Sequence, residues 1–262
     1  MRTALALLIV ATSAHANPRA LPFTYTTDTL AAGNAELEQY VDLIPLRAIS
    51  PTTTQETTYL ASAFQTELEI GLADRLELGL YATFVPMFGD QLASTALFPG
   101  VGNGLKQRLR YTFGDLPIGL GVYGEIAENE REIELEAKVL LEQRFDRVRV
   151  AVNLSAEYEL YFAGQREVVL NPSLGATYEI TARYHVGLDG FLRAEYPMNP
   201  APAMRTFGLG PELYVGPAVL LAFEKVWWSI GGYVRVTSPS HDLGPGEPYG
   251  RAWFRSMIGF DL

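Results

Sequence analysis

The chain has 262 residues, no cysteine, and 30 acidic against 20 basic residues, which gives a formal net charge of −10. The absence of cysteine excludes disulfides, metal–thiolate centres and a cysteine nucleophile. The acidic balance argues against nucleic acid as a partner, because phosphate binding needs clustered basic residues. A chain of this length suits one all-β domain.

The first sixteen residues are typical of a secretory signal peptide. Arg2 provides the positive n-region, residues 5–10 form a short apolar core, and residues 14–16 form an A-x-A cleavage site. The apolar run is shorter than the about 20 residues that a membrane-spanning helix needs. No cysteine follows the cleavage site, so a lipid-anchored lipoprotein is excluded. We therefore expect an exported chain.

Twelve stretches of the chain alternate with a period of two residues, and their apolar parity carries no charge. In residues 132–142 the apolar positions are Ile133, Leu135, Ala137, Val139 and Leu141. The alternate positions there are mainly Glu and Lys, so each strand has one apolar and one ionic face. In hydrocarbon every backbone group must be paired internally, and a closed barrel is the only sheet that achieves this.

The predicted strands are separated by alternating short and long connections. They cover residues 34–46, 56–72, 76–88, 101–113, 118–127, 131–145, 148–162, 167–180, 184–196, 205–223, 226–237 and 249–262. The short turns are at residues 73–75, 114–117, 146–147, 181–183 and 224–225, whereas loops such as 89–100 and 238–248 are long. Short periplasmic turns, longer outer loops and an even strand number are typical of outer-membrane barrels.

Two of these strands are ambiguous. Residues 205–223 contain Pro211 and Pro217, which cannot donate to a ladder, so we expect an irregular strand there. Residues 128–145 also show a helical stripe, but their unbroken alternation favours a strand.

A soluble barrel or sandwich also alternates, with its apolar side inward, and it is the alternative to a membrane barrel. Two features favour lipid as the solvent. Charge is excluded from the apolar faces, as expected where a Lys or Arg at mid-depth costs roughly 2–4 kcal/mol. Aromatic residues also concentrate towards strand ends on that face, as interfacial girdles do. They are Phe84, Tyr111, Phe113, Tyr158, Phe162, Tyr178, Tyr184, Tyr196 and Phe254.

Two stretches resemble porin-like and uncharacterised outer-membrane barrels of Gram-negative bacteria. Residues 25–39 (YTTDTLAAGNAELEQ) resemble the start of the mature chain in that group, and residues 69–81 (EIGLADRLELGLY) resemble one of its hairpins. The resemblance implies the fold and the compartment. The C-terminus, with Phe260 and Leu262 alternating, resembles the insertion signal of such proteins but ends in Leu where an aromatic residue is usual.

The sequence offers little for catalysis. Beyond the signal peptide the histidines are His185 and His241. The outer-membrane phospholipase and the lipid A deacylase carry a Ser two residues after their His, and neither histidine here is followed in that way. The Asp-x-His and Asp-x-Asp pairs of the omptin proteases do not occur. We expect His185 to face Glu179 at the periplasmic rim and His241 to lie in an ordinary outer loop, so no catalytic residue is predicted.

The inward faces carry the most specific feature. A two-residue turn at residues 146–147 would place Glu136 opposite Glu157 and Glu134 opposite Glu159. Like charges directly opposite destabilise a sheet, so something must compensate. We name as the acidic ladder Glu125, Glu132, Glu134, Glu136, Glu157 and Glu159. The inward basic residues that could compensate are Lys106, Arg108, Arg110 and Lys138. A bound cation, or a proton held by one carboxyl group, would also serve.

The sequence thus predicts a closed antiparallel transmembrane β-barrel of about twelve strands over residues 34–262, preceded by a periplasmic segment over residues 17–33 that could lie in the barrel mouth. Twelve strands give a backbone diameter of roughly 24 Å, a size at which the lumen is either open or closed by side chains. The acidic ladder could stiffen the wall as ion pairs, select cationic solutes, or bind a divalent ion.

The functional expectation is a passive channel for small hydrophilic solutes in the outer membrane of a Gram-negative bacterium. The alternatives are a non-conducting barrel with a structural or surface-interaction role and, less favoured, an outer-membrane hydrolase. The expected partners are outer-membrane lipid, the barrel-insertion machinery through the C-terminal strand, and small solutes. No cofactor and no metal site are predicted.

Overall fold

The computed structural model of the chain describes residues 17–49, 55–86, 103–114, 116–198, 211–237 and 250–262. The predicted signal peptide and the predicted loops at 89–100 and 238–248 lie outside the described residues. The regular structure in the described ranges consists of thirteen β-strands. In these same ranges, no helix has the length and apolar character needed to cross a membrane.

The strands follow the predicted stretches closely. They are β1 (Ala35–Ile49), β2 (Glu56–Ala73), β3 (Leu76–Phe84), β4 (Gly104–Phe113), β5 (Gly119–Asn129), β6 (Glu132–Phe145), β7 (Val148–Tyr161), β8 (Arg166–Leu170), β9 (Ser173–Thr181), β10 (Tyr184–Pro197), β11 (Glu212–Ala222), β12 (Val226–Arg235) and β13 (Ala252–Asp261). Residues 128–145 thus form the end of β5, a short turn and β6 rather than a helix, as their alternation predicts.

The sheet closes on itself. Each strand pairs antiparallel with its neighbours, and β1 pairs with β13 to complete the barrel. Strands β8 and β9 lie end to end between β7 and β10, so thirteen strands fill twelve positions. The single strand predicted over 167–180 is divided because Pro172 lacks an N–H and cannot continue the ladder. The predicted closed antiparallel barrel of twelve strands is confirmed.

The tight turns lie where the sequence predicts them. Arg75 (φ 68°) and Asp146 (φ 52°) adopt left-handed conformations in two-residue turns. The second of these turns pairs Phe145 with Val148 and thereby sets the register of β6 against β7. A one-residue slip there would exchange the two faces of the strand, so this turn decides which side chains enter the lumen.

The expected irregularity lies in β11. Its pairing with β12 is interrupted at Gly216 and Pro217, while the register on either side is unchanged. Pro217 cannot donate a hydrogen bond, and a Cβ on Gly216 would lie 1.8 Å from the carbonyl oxygen of Gly232. The two backbones can therefore approach only because residue 216 is glycine.

The outer surface of the barrel is apolar along the middle of its strands, and outward-facing charged residues such as Glu56 and Glu128 lie near strand ends. Leu135, Leu154 and Leu188 are 41%, 53% and 57% exposed, whereas inward-facing Glu132 is 2% exposed. Eight of the nine aromatic residues predicted for the interfaces are at least 40% exposed, and Tyr158 is half-buried. An outward face of this composition is stable against lipid and not against water, so the barrel is of the transmembrane type.

The interior has two chemically different sides. The wall formed by β10–β13 with β1 and β2 contributes a buried apolar cluster, half of it aromatic: Ile44, Leu46, Ala61, Ala63, Phe191, Tyr214, Tyr233 and Trp253. The wall formed by β1–β7 contributes buried carboxylate and guanidinium groups. The sequence predicts the ionic side and not the aromatic one.

Candidate functional site

The candidate site is the lumen, and its centre is occupied by residues 17–33, which we call the plug segment. Leu21 within it is fully buried. The backbone N–H of Asn17 donates to Glu36 near the start of β1 (3.0 Å). The segment then reaches the middle of β10, returns, and ends where Gly33 hydrogen-bonds to β2. Its tip therefore lies well inside the barrel, deeper than the periplasmic mouth suggested by the sequence.

Wall carboxylates hold the plug segment by accepting its donors. Asp189 accepts hydrogen bonds from the Phe23 N–H (2.8 Å) and from the Thr24 hydroxyl (2.6 Å). Glu142 and Glu77 accept the N–H groups of Thr27 (2.7 Å) and Leu30 (2.8 Å). Buried backbone donors outside a ladder need acceptors, and ionised carboxylates are among the strongest. Acidic inward residues thus satisfy a chain segment that forms no strand.

The side chain of Asn153 adds a two-way contact at Tyr25. It accepts the Tyr25 N–H (2.6 Å) and donates to the Tyr25 carbonyl oxygen (2.9 Å). These two hydrogen bonds resemble the pair that two residues on neighbouring strands exchange. They fix the plug segment in register against β7 as well as in position.

The tip of the plug segment is anchored by aromatic packing. Phe23 stacks on Phe191 with ring centroids 3.9 Å apart, and it meets Tyr233 and Trp253 edge-on at 4.9 and 5.5 Å. The guanidinium carbon of Arg255 lies 3.8 Å from the Phe23 ring centroid. Sequence reasoning missed this anchor. The signal was available, because β11–β13 carry large apolar residues on both parities, which is typical of strands covered on both faces.

The predicted register of the acidic ladder is confirmed. Glu134 pairs with Glu159, and Glu136 pairs with Glu157, across β6 and β7. Two of the predicted basic residues compensate this charge. The Lys106 ammonium lies 3.2 Å from Glu125 and 4.0 Å from Glu134, and the Lys138 ammonium lies 2.9 Å from Glu136.

The principal partner of the β7 carboxylates is Arg193, which the sequence reasoning did not identify. Its guanidinium group lies 3.2 Å from Glu157, 3.0 Å from Glu159 and 3.0 Å from Glu195. Arg193 is on β10, and β8 lies between it and β7. No local sequence pattern indicates a contact across an intervening strand.

The other members of the ladder lie beside these pairs. Glu132 accepts a hydrogen bond from the Asn129 amide (3.0 Å) and lies 3.6 Å from Arg131. Glu125 accepts a short hydrogen bond from the Tyr123 hydroxyl.

Arg108 and Arg110 do not compensate the acidic ladder. Arg108 is fully buried against Glu67 (2.6 Å) and Glu77 (2.7 Å) on β2 and β3, and it also contacts Glu69. Arg110 lies 2.7 Å from Glu77. The expectation that these arginines balance the β6–β7 carboxylates is wrong, because nearer carboxylates on the adjacent strands bind them first.

A third like-charged pair, of the opposite sign, lies at the other end of β6 and β7. Arg144 is directly opposite Arg149, and the carboxylate of Asp28 from the plug segment receives both guanidinium groups, at 2.5 and 2.6 Å. Burial alone would raise the pKa of the Asp28 carboxyl, but the two positive charges outweigh it and lower that pKa. The plug segment thus carries one of the two carboxylates that neutralise this pair, and Glu142 of the wall, 2.5 Å from Arg144 and 3.3 Å from Arg149, is the other.

Two cavities open on opposite sides of the plug segment. The cavity towards the predicted outer end has a volume of about 180 Å³, and Phe23 and Tyr25 line it together with four members of the acidic ladder: Glu125, Glu134, Glu136 and Glu157. The cavity towards the predicted periplasmic turns has a volume of about 350 Å³, and its lining includes Pro18, Ala20 and Asp28. No residue lines both cavities. The plug segment therefore divides the lumen.

The histidines do not assemble a site with these groups. His185 pairs with Glu179 across β9 and β10, as the sequence predicts, and both residues line the cavity on the periplasmic side. His241 lies outside the described residues.

Comparison with known proteins identifies the fold. A NanC porin structure superposes with a TM-score of 0.58 at 10% identity, covering 86% of this chain and all of the porin. An outer-membrane channel from Pseudomonas putida F1 gives a TM-score of 0.59 at 12% identity, covering 90% of this chain and 98% of the channel. No protein-family model and no curated protein sequence matches the chain. The chain thus shares the fold of outer-membrane porins and channels.

Proposed function

We propose that this barrel is a passive, non-enzymatic outer-membrane channel for small hydrophilic solutes, and that the plug segment closes it at rest. One observation carries the proposal: the two cavities are divided by the plug segment, which contributes no strand to the barrel. Because β1 and β13 close the sheet without it, the segment can leave the lumen while the backbone hydrogen bonds of the barrel stay intact. Its departure would join two polar cavities into one passage.

The acidic ladder supports a preference for cationic solutes. Four of its six carboxylates line the cavity on the outer side, where they would meet a solute before the plug segment does. Lys106, Lys138 and Arg193 also line this cavity, so the carboxylates act on a solute as local acceptors rather than as a wall of one sign. Introducing Lys at Glu134, Glu136, Glu157 and Glu159 should therefore move the reversal potential in planar bilayers towards anion selectivity. If the channel still conducts and its reversal potential is unchanged, the acidic ladder does not determine the ion selectivity.

We also infer that the described lipid-facing surface contacts outer-membrane lipid and that β13 presents the insertion signal. Phe260 on this strand is 40% exposed and lies on the outward face, as a terminal recognition residue must.

The second candidate function is a non-conducting structural barrel. The buried ion pairs around Arg193 and Arg108 favour it, since they stiffen the wall whether or not the plug segment moves. Conductance of the reconstituted full chain separates the two functions.

The test loosens or locks the plug segment in the intact chain. Phe23→Ala removes the aromatic anchor, whose burial stabilises the closed state by about 3–5 kcal/mol, so the open probability should rise at least tenfold. For the lock, a Cβ on Gly119 would lie 2.8 Å from Thr27 Oγ1, which places the double variant Thr27→Cys, Gly119→Cys within disulfide reach. Because the chain has no cysteine, this pair can only bridge to itself within a monomer.

The lock has a matched control in its own reduced form. We expect the oxidised double variant to carry no current and the reduced form to show openings at the wild-type frequency. If neither the wild type nor Phe23→Ala carries current in planar bilayers, although electrophoretic mobility shows that both barrels are folded, the non-conducting structural role is favoured.

A further inference from the structure

A compact group of five buried carboxylates lies where the plug segment meets β1–β3. We call it the carboxylate cluster, and its members are Glu36, Glu38, Glu67, Glu69 and Glu77. Each of them has an exposed fraction of 0%. Carboxylates almost never occur fully buried unless they are paired, so the cations that face this cluster determine what it can do.

Two of these cations belong to the barrel wall. Arg108 binds Glu67, Glu69 and Glu77, and Arg110 binds Glu77. Both arginines lie on β4 and stay in place when the plug segment moves.

The third cation belongs to the plug segment. The Arg19 guanidinium lies 3.5 Å from Glu38 and donates a short hydrogen bond to the Tyr40 hydroxyl. Tyr40 in turn hydrogen-bonds to Glu38 and Glu67, so Arg19 is bound into the cluster on two sides. The plug segment supplies two further donors, which are the N–H groups of Asn17 to Glu36 and of Leu30 to Glu77.

The cluster has acceptor capacity beyond these partners. Among the described residues, Glu38 Oε1 and Glu69 Oε2 have no hydrogen-bond partner. One oxygen each from Glu38, Glu67 and Glu69 lie within 4.8 Å of one another. Five carboxylates face three guanidinium groups, and only two of those remain after the plug segment departs. An opened lumen would therefore expose a strongly negative pocket with acceptors directed into it.

We propose that the carboxylate cluster is a binding site for a small organic dication bearing guanidinium or amine groups, whose place Arg19 and the plug N–H donors take in the closed state. The site rests on the proposed function, since the segment must leave before the cation enters. Ligand and segment then compete for the same acceptors. Because the ligand binds only the open state, it shifts the population towards the open lumen.

An organic dication fits the cluster better than a metal ion does. A metal ion among Glu38, Glu67 and Glu69 would sit against Arg108, which already binds two of these carboxylates. An organic dication separates its two charges along a carbon chain, so one group can take the position of Arg19 while the other stays remote from Arg108. Planar N–H donors also match carboxylate pairs in a bidentate manner.

The experiment measures binding of agmatine, which carries one guanidinium and one ammonium group, by titration calorimetry on the full chain. The protein is the double variant Thr27→Cys, Gly119→Cys in its reduced and oxidised forms. We expect the Kd of the reduced form to be at least tenfold lower, because the disulfide keeps Arg19 in the cluster. The ligand control is 4-guanidinobutyrate, which has the same guanidinium group with a carboxylate in place of the ammonium, and it should bind at least tenfold more weakly.

A second variant tests the location of the site without loosening the plug segment. Within the described residues Glu69 hydrogen-bonds to Arg108 on the barrel wall and not to the plug segment, so Glu69→Gln should weaken agmatine binding to the reduced double variant several-fold. Equal agmatine affinity in the reduced and oxidised forms would overturn the proposal, as would unchanged affinity in Glu69→Gln. Uptake of calcium in preference to agmatine would overturn the organic class of ligand.

The outcomes for the site and for the channel are distinguishable. Agmatine binding to a protein that carries no current would retain the site and reject the channel. Conductance without agmatine binding in either redox form would retain the channel and reject the site.

Discussion

Gly79 on β3 lies directly opposite Arg108 on β4, and the absence of a side chain at Gly79 makes room for that guanidinium. A Cβ on Gly79 would lie 2.6 Å from Arg108 Nε and 2.6 Å from Glu67 Oε1. The side chain of Arg108 crosses this space to reach carboxylates on β2 and β3. A single small residue thus makes room for a fully buried guanidinium group in the barrel wall.

Gly79→Ala should therefore destabilise the barrel. The methyl group would displace Arg108 and Glu67, and overpacking of this kind costs about 1–3 kcal/mol. Gly124→Ala is the matched control, because a Cβ on outward-facing Gly124 meets nothing within 4 Å. Urea unfolding followed by electrophoretic mobility should show a lower midpoint for the first variant and an unchanged or slightly higher midpoint for the second. Equal midpoints would show that Arg108 does not need this space.

Asp189→Ala should release the tip of the plug segment. The carboxylate is buried and accepts hydrogen bonds from Phe23, Thr24 and Tyr233. In an otherwise cysteine-free chain carrying Ala20→Cys, the substitution should raise the labelling rate by a water-soluble maleimide at least tenfold. Asp189→Asn keeps one acceptor oxygen and should raise the rate less. If both variants label at the parental rate, Asp189 does not hold the segment.

The charge of Asp28 predicts a pH dependence for closure. Its pKa in the docked state is lowered by Arg149 and Arg144 relative to the free carboxyl. The Asp28 carboxylate therefore stabilises the docked plug segment fully at pH values above the pKa that this carboxyl has when the segment is undocked. This stabilisation is lost as the pH falls through the lower pKa of the docked state. The open probability in planar bilayers should rise across that acidic interval. In Asp28→Asn the rise should be smaller and the open probability at neutral pH higher. An identical pH profile in both proteins would show that the charge of Asp28 does not hold the plug segment in the lumen.

Arg193→Gln should destabilise the outer half of the lumen. The substitution removes the guanidinium group from Glu157, Glu159 and Glu195, and breaking a buried pair typically costs about 3–5 kcal/mol. Arg131→Gln is the control, because it removes the same charge from a side chain that is 34% exposed and should cost about 0–1 kcal/mol. Comparable urea midpoints for the two variants would contradict the structural role assigned to Arg193.

Much of the barrel could be predicted from local pattern. The pairing of Glu134 with Glu159 follows from a two-residue turn at Asp146 and strict alternation on either side. The His185–Glu179 pair follows in the same way from the next hairpin. Such predictions succeed because neighbouring strands are connected by short turns, so their register is a local property of the chain. The partners of Arg108 could not be predicted in this way, because carboxylates on β2 and β3 and the acidic ladder on the other side were both within reach of β4.

The sequence by itself determined which faces meet lipid, where the strands turn and which carboxylates lie opposite each other, because a period of two residues and short turns encode these features within a few tens of residues. Only the tertiary structure decided that the lumen is divided. Phe23 meets Asp189 across 166 residues of chain, and Asp28 meets Arg149 across 121. The plug segment is held by single hydrogen bonds to several strands, so its sequence shows no period of two residues. Its contacts form only once the closed barrel brings those strands around it.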